Sequence, residues 1–441
     1  MLTGSKGKAQ TRWTGWRAAL IISCVLAVLR AGLLAVSDLE LGADEAQYWF
    51  WGQNLAWGYY SKPPMIGWLI AASTSVLGDN AFGVRFFTPF FLTGTGLALY
   101  GAGRQLFGPR SGLVTLVVWH LMPAVLFGAT LISTDVPLLF FWSLALLALV
   151  GWWQRPETET LRWAAALGVS LGLAFLSKYA AIYFLIGLAL SLALIPDLRR
   201  RFGVRPLLVA ALAFALAIAP NLIWNIRNGF QTLRHTADNA DWNGFALHFD
   251  ELGDFLAAQL FVFGPLLFLT LLVATFRPRV WRCPAHVFLL AFVLPALTIV
   301  SVQALLSRAH ANWAMAAYPA AAVLIPQLIT TPLWRRIVGA GTVLLHGTVA
   351  LLIVYVTTDL HRADDLGLSN TFKRNRGWAE TAAEVKAAAM PLDGLIIDDR
   401  EVAAHLIWEL RDWSFPIEVF DSNGRPDHTY DYEFGWQLDP Q

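Results

Sequence analysis

Two adjacent carboxylates, Asp44 and Glu45, open a stretch dense in groups that do chemistry: LGADEAQYWFWGQNLAWGYYSKPPMIGWL, from Leu41 to Leu69. Aromatic residues follow, Tyr48 and Tyr60 among them, and then Lys62 within Ser-Lys-Pro-Pro. A positioned carboxylate can take the proton of an attacking hydroxyl. An ammonium held on stiff, extended backbone by two prolines suits a phosphate group. Neighbouring side chains on a helix project about 100° apart, so Asp44 and Glu45 cannot serve one reacting atom equally. One is expected to be the base while the other caps, pairs or holds a metal. The bland alternative is that both cap a short interfacial helix, since acidic residues suit helix N-termini. For Lys62 it is a lysine snorkelling to lipid headgroups.

Three further places carry polar groups beside apolar runs. Asp135 stands in Ile-Ser-Thr-Asp-Val-Pro-Leu, where it is either an N-cap with Pro137 in the first turn or a second acidic site residue. Lys178 lies between LAFLS and YAAIYFLIG with no acid nearby in sequence. A charge at membrane depth is expensive and points to function unless a loop lets it snorkel. Arg308, His310 and Asn312 fall together in SRAHANW. A guanidinium there can take phosphate oxygens in a bidentate grip. His310 can act as a ligand or acid–base group, although a hydrogen-bonding structural histidine is the commoner fate. No HExxH, GxGxxG or Walker A pattern occurs, and Cys24 and Cys283 read as two isolated small apolar side chains.

These groups must be positioned by membrane helices. Of 441 residues 56% are hydrophobic and only 14% charged, against roughly 25% charged in soluble domains. Mean hydropathy is +0.52. A net charge of +1 argues against a nucleic-acid partner. After a basic leader, the run Ala18–Val36 reads as a first span rather than a cleaved signal peptide, being long and without a small-residue cleavage site. Further candidate spans are 82–101, 113–127, 136–152, 163–176, 180–195, 207–224, 255–276, 287–302, 313–329 and 337–356, about eleven in all. Arginine clusters at 104–110, 155–162, 199–205, 277–282 and 335–336 fall on one side of this count together with the leader. That side is cytoplasmic by the positive-inside rule, which puts the N-terminus in, the C-terminus out and the polar groups above on the outer face.

The expected organisation is a polytopic α-helical membrane domain over residues 1–356 and a small extracytoplasmic α/β domain over 357–441. The tail shows helix signals at 378–390 and 401–410 and strand signals at 394–397 and 416–420, with a turn at 421–424. A unit this small is expected to lean on the membrane part. A first outer loop over 37–81 carries the carboxylate motif. A long outer loop over 225–254, with His235, Asp238, Asp241 and Trp242, reads as a cover over the site.

Asp-Glu-Ala-Gln-Tyr, Tyr-Ser-Lys-Pro-Pro and the following Gly-Trp together resemble the membrane glycosyltransferases of the GT-C fold. The chain is most similar to the dolichyl-phosphate-mannose protein mannosyltransferase-like group, family 39, which includes bacterial lipid A aminoarabinose and galacturonic acid transferases. The weaker stretches 131–138, 176–179 and 309–319, and Arg376-Gly377-Trp378 opening the tail, occur in the expected order. The resemblance implies a polyprenyl-phosphate sugar donor bound at the outer face of a bacterial inner membrane, and inversion at the anomeric carbon. It implies Asp44 as the catalytic base, Lys62 and Lys178 as groups on the donor phosphate, and Asp135 as a second acidic residue near the site. The chain departs from the pattern twice. Ser61 stands where aminoarabinose transferases carry an acidic residue that helps bind a divalent metal, and Gln47 stands where the family carries an arginine after the carboxylate.

The mechanism so implied needs no nucleotide, since cations can offset the charge of a phosphate leaving group. Catalytic residues are expected at Asp44, Glu45 and Asp135, phosphate contacts at Lys62, Lys178 and Arg308, and substrate contacts at Tyr48, Tyr60, His310 and Asn312. The acceptor is a lipid or envelope glycan, with a protein as the alternative. A non-enzymatic alternative is a transporter or flippase for a lipid-linked sugar. Transporters usually show inverted repeats and midplane charges, whereas here the polar groups crowd one face.

Overall fold

The structure, a computed structural model, describes residues 4–238, 246–329, 331–390, 394–414, 416–420, 428–430 and 435–436. Helix α1 (Gly4–Ala35) leads into the short α2 (Ala43–Gln53), which carries the acidic motif. Helices α3 (Asp135–Gln154) and α4 (Thr160–Ser177) pack side by side, and α5 (Val204–Arg227) lies against α4. Gly168 and Gly172 allow this last approach, because a Cβ at either would collide with Ala210, Ala213 or Ala217 of α5. On its other side α5 exposes Leu207, Leu208, Leu212 and Leu216, as a lipid-facing helix must.

Among the described residues seven helical stretches are long and apolar enough to cross a bilayer: Gly15–Ala35, Ala81–Phe107, Asp135–Gln154, Glu157–Ser177, Val204–Arg227, Pro284–Leu306 and Pro332–Thr357. Phe249–Val262 and Pro265–Thr275, bent by 116°, form an eighth if counted as one broken span. The expected count of eleven included three stretches that form shorter pieces. The stretch 113–127 is divided between the helices Pro109–Leu121 and Pro123–Gly128. Pro123 has no N–H to give and holds Met122 in the extended region at ψ 128°. Residues 180–194 of the expected span 180–195 fall in the short apolar helix Tyr179–Leu194. Residues 313–329 begin as a 3-10 segment, Ala311–Ala317, before the helix Tyr318–Leu328. The core beneath is aromatic and aliphatic, with Trp142, Phe184, Phe288, Phe292 and Tyr318 all excluded from solvent.

The long connection after α5 is not a plain loop. A turn at Gly229 and Phe230 with φ of 64° and 58° leads into helix α6 (Gln231–Asp238). Asp241 and Trp242 lie outside the described residues. Helix α7 (Pro332–Thr357) starts on a Thr331 cap whose hydroxyl accepts from the Trp334 N–H at 3.3 Å, and ends at the tail.

In the tail, α8 (Trp378–Ala389), β1 (Leu395–Ile397), α9 (Arg400–Glu409) and β2 (Ile417–Phe420) follow the order read from the sequence. With β3 (Gly435–Trp436) the strands form a parallel sheet in the order β1-β2-β3, and β1 pairs Leu395 with Ile417. The expected turn at 421–424 lies outside the described residues. The tail shares one hydrophobic core with the first outer loop: Ala403, Leu406 and Trp408 of α9 pack with Ala46, Trp49 and Trp51 of α2. Glu40 stitches the two further. Its carboxylate accepts from the Trp378 and Ala379 N–H groups at 2.8 and 3.3 Å, capping α8.

Candidate active site

Helix α2 presents its two acids to opposite environments. Glu45 turns inward and is 4% exposed. Arg85 holds it through Nε and Nη2 at 2.8 and 2.7 Å, and the N–H groups of Gly42 and Ile132 donate to it at 3.0 and 2.9 Å. Arg85 completes its own set on the carbonyls of Leu39 and Glu40, both at 2.9 Å. Expected as a possible partner in catalysis, Glu45 is instead a cap and the centre of a buried, fully bonded ion pair, which is the bland reading realised for one acid of the two. Asp44 turns outward, its side chain 64% exposed, onto the guanidinium of Arg400 at the start of α9. Arg400 Nε also donates to Gln47 Oε1 at 2.7 Å. A guanidinium therefore stands beside the first carboxylate after all, delivered from 356 residues away in the chain.

A second acid–base pair lies at the start of α3. Lys178, on the extended residue that ends α4, donates to both oxygens of Asp135 at 2.8 and 3.0 Å, and Asn312 donates to Oδ2 at 3.0 Å. Asp135 therefore serves as partner to the lysine rather than as a helix cap. Lys62 lies within the electrostatic reach of both pairs. Burial pushes its ammonium below the ordinary lysine range and neighbouring Lys178 adds to this, as does Arg400, while Asp44 and Asp135 pull the other way. The Lys62 carbonyl accepts from the Tyr59 N–H at 3.0 Å, closing the turn that presents it. Buried Tyr48 shares the same field: burial, then Asp44, raise its hydroxyl well above the usual range.

The aromatic residues build the wall. Tyr59 stacks on Trp51 at 4.7 Å and accepts at its carbonyl from Thr232 of α6 at 2.6 Å. Tyr60 packs its ring 5.1 Å from His235. Gly58 must be glycine here, since a Cβ would strike the Trp224 ring at 2.4 Å. Tyr179 bonds Asn221 and Asn225 of α5 at 2.9 and 3.0 Å, and Asn221 donates to the Trp57 carbonyl at 2.6 Å. Arg308 and His310 are exposed on the connection that delivers Asn312, with His310 edge-on to Trp313 at 5.2 Å. Asn312 reaches the Asp135–Lys178 pair.

Next to Asp135 and Asn312 opens a cavity of about 940 Å³. Its remaining wall is largely apolar, with Pro123, Phe127, Leu139, Phe261, Met315 and Leu352. The site thus joins a charged end to a hydrocarbon-like chamber. Among the described residues no group of three or more His, Cys, Asp or Glu side chains is placed to hold a metal ion. With Ser61 in place of an acid and Asp44 facing a guanidinium, the residues present do not fit a divalent cation.

A family model, dolichyl-phosphate-mannose-protein mannosyltransferase, matches residues 61–224. The lipid A galacturonosyltransferase RgtD of Rhizobium johnstonii is 34% identical over 427 residues, 96% of this chain and 89% of that protein. The chain belongs to this family of membrane glycosyltransferases. An undecaprenyl phosphate-alpha-4-amino-4-deoxy-L-arabinose arabinosyl transferase of Pseudomonas fluorescens is 29% identical over 170 residues, 38% of this chain and 30% of that protein. The crystal structure of ArnT from Cupriavidus metallidurans bound to undecaprenyl phosphate superposes with a TM-score of 0.65 at 16% identity, covering 93% of this chain and 86% of that one. The fold of this glycosyltransferase is therefore the GT-C fold expected from the sequence.

Four residues that organise the candidate site escape a reading of motifs. Arg85, in GVRFF at a span boundary, carried a usable signal, because a charge at that depth needs a partner. Asn221 and Asn225, spaced i and i+4 in an apolar helix, carried the same kind of signal. Arg400 carried none: it sits in a polar tail, in Asp-Asp-Arg-Glu, where an arginine is unremarkable.

Proposed function

We propose that this glycosyltransferase moves a sugar from a polyprenyl-phosphate carrier to a lipid A-type glycolipid at the outer face of the bacterial inner membrane, with inversion at the anomeric carbon. The observation that carries the reading is the junction of charged cluster and apolar cavity. A donor with one phosphate and a long isoprenoid tail needs both, and a lipid-linked acceptor can reach the same junction from the bilayer. The near full-length relative is a lipid A galacturonosyltransferase, which makes a uronic acid the sugar class and lipid A the acceptor class to test first.

Asp44 accepts the proton of the acceptor hydroxyl. The freed oxygen forms its bond to C1 from the face opposite the carrier, and the C1–O bond to phosphate breaks with its electron pair leaving on the phosphate. Lys62 and Lys178 offset that developing charge from preorganised, partly buried positions. Asp135 and Asn312 position Lys178, while Glu45 with Arg85 fixes α2 so that Asp44 faces outward. Tyr48 and Tyr60 line the donor side, and Arg308 and His310 stand at the entrance on the outer surface. The N-terminus lies inside, the tail outside, and the described residues of the tail from 357 onward form a roof over the site.

The test is transfer by the purified protein in lipid nanodiscs. Undecaprenyl-phosphate galacturonic acid and lipid A are supplied, and the product is read by mass spectrometry. Transfer is expected from the unaltered protein and its loss from Asp44→Asn with an unchanged melting temperature. Full-rate transfer by folded Asp44→Asn removes Asp44 as the base.

A further inference from the structure

Among the described residues three cations and two anions meet at the site outside the Glu45–Arg85 pair: Lys62, Lys178 and Arg400 against Asp44 and Asp135. Asp135 is neutralised by Lys178 and Asp44 by Arg400, so Lys62 is left as the single positive charge in excess. One excess cation matches the one negative charge of a sugar phosphodiester. A second negative charge on the sugar would enter without a partner unless one of the pairs exchanges.

The pairs differ in their freedom to do so. Lys178 is clamped to both oxygens of Asp135, with side-chain exposures of 20% and 12%. Arg400 and Asp44 are 38% and 64% exposed and meet through one carboxylate oxygen. Arg400 is anchored separately by Nε on Gln47 Oε1 at 2.7 Å, so the guanidinium stays held when its bond to Asp44 is exchanged. An arginine presents a planar fork that suits a carboxylate in two parallel bonds.

Sugar geometry brings such a carboxylate to this place. In a uronic acid, C1 and the C5 that bears the carboxylate both flank the ring oxygen. A guanidinium within bonding reach of the base that serves C1 is thus also within reach of a C5 carboxylate. We propose that Arg400, carried by the tail, reads the carboxylate of a uronyl donor, exchanging its bond to Asp44 for that contact and leaving the Asp44 oxygen open to the acceptor hydroxyl. This rests on the donor reading above and assigns its sugar specificity to a residue outside the membrane helices. A neutral sugar offers Arg400 nothing in exchange, and Asp44 stays engaged.

The experiment compares undecaprenyl-phosphate galacturonic acid with undecaprenyl-phosphate galactose, which differ only at that carboxylate, using full-length protein in nanodiscs. Both kcat/KM with lipid A and donor affinity by native mass spectrometry are measured for the unaltered protein, Arg400→Gln and Arg400→Lys. The unaltered protein is expected to favour the uronyl donor, and Arg400→Gln to lower that preference by about tenfold to a hundredfold. Arg400→Lys, which keeps the charge and loses the fork, is expected to fall between. An equal loss for both donors means that Arg400 only holds the tail in place, and overturns the proposal. So does an unaltered protein without uronyl preference. Failure of the unaltered protein to bind either carrier-linked sugar overturns the donor reading itself, a result distinct from binding both without discrimination.

Discussion

The two faces of helix α2 bear adjacent acids of the same chemistry and opposite use. On the inner face Glu45 and Arg85 are 4% and 1% exposed and every oxygen and nitrogen has a defined partner. On the outer face Asp44 and Arg400 are open to solvent and share a single contact. A buried pair that is fully bonded fixes geometry, because removing either partner leaves an uncompensated charge. An exposed pair contributes little to stability and exchanges readily. A single residue step, about 100° around the helix, thus separates a rivet from the proposed base.

The sharpest way to break this contrast is to neutralise each acid in turn. Asp44→Asn is expected to lower kcat by a hundredfold to ten-thousandfold, as loss of a general base does, with no change in melting temperature. Arg85→Met is expected to cost about 3–5 kcal/mol of stability by stranding Glu45. Its signature is loss of folded, detergent-stable protein on size exclusion before any kinetic effect can be read. If Arg85→Met folds normally and Asp44→Asn does not, the assignment of the two faces is reversed.

How much of this was legible depended on range. The Asp44 motif, Lys62 and Lys178 stand out because each is a charge set against apolar or proline-stiffened surroundings, a local property of the chain. The elements of the tail were legible for the same reason: α8 comes from an alanine-rich run, and α9 starts on Asp399, whose carboxylate accepts from the Val402 N–H at 2.8 Å. What chooses between base and rivet is not local. Arg85 lies 40 residues from Glu45 and Arg400 lies 356 from Asp44. Helix geometry says that the acids diverge by about 100°, but not which face the fold will bury. Hydropathy is blind to proline: the run 113–127 is largely apolar, yet its helix breaks at Met122 and Pro123.

A smaller effect separates the cations of the outer face. Lys62→Met is expected to raise KM for the donor by about tenfold, with a lesser change in kcat if the contact to phosphate forms already in the ground state. Lysine must be charged to do this, and the pull of burial lowers its pKa below 10.5. Donor KM should therefore rise with pH on the alkaline side before an ordinary lysine would titrate. Lys62→Arg should remove that rise, whereas a pH-independent KM in the unaltered protein removes Lys62 from the phosphate site.

The mildest perturbation acts through the roof that carries Arg400. His405 of α9 stacks on Trp378 of α8 at 3.9 Å, fully buried, and burial lowers its pKa to about 4 from an ordinary 6.5. Between those values the unfolded chain binds a proton that the folded roof excludes. Stability contributed by the neutral ring is complete above pH 6.5 and falls as pH drops towards 4, by at most about 3 kcal/mol. Hydrogen exchange should show α8 and α9 loosening over that window while helices α3 and α4 stay protected, and His405→Phe should flatten the response. The inner face of α2 has no share in this titration. Arg400 has, because α9 carries it: mild acid should weaken the hold on Asp44 while leaving Glu45 and Arg85 in place. Equal loosening of both faces over the same window would mean that α2 and α9 open as one unit, and that the outer pair is no more exchangeable than the inner one.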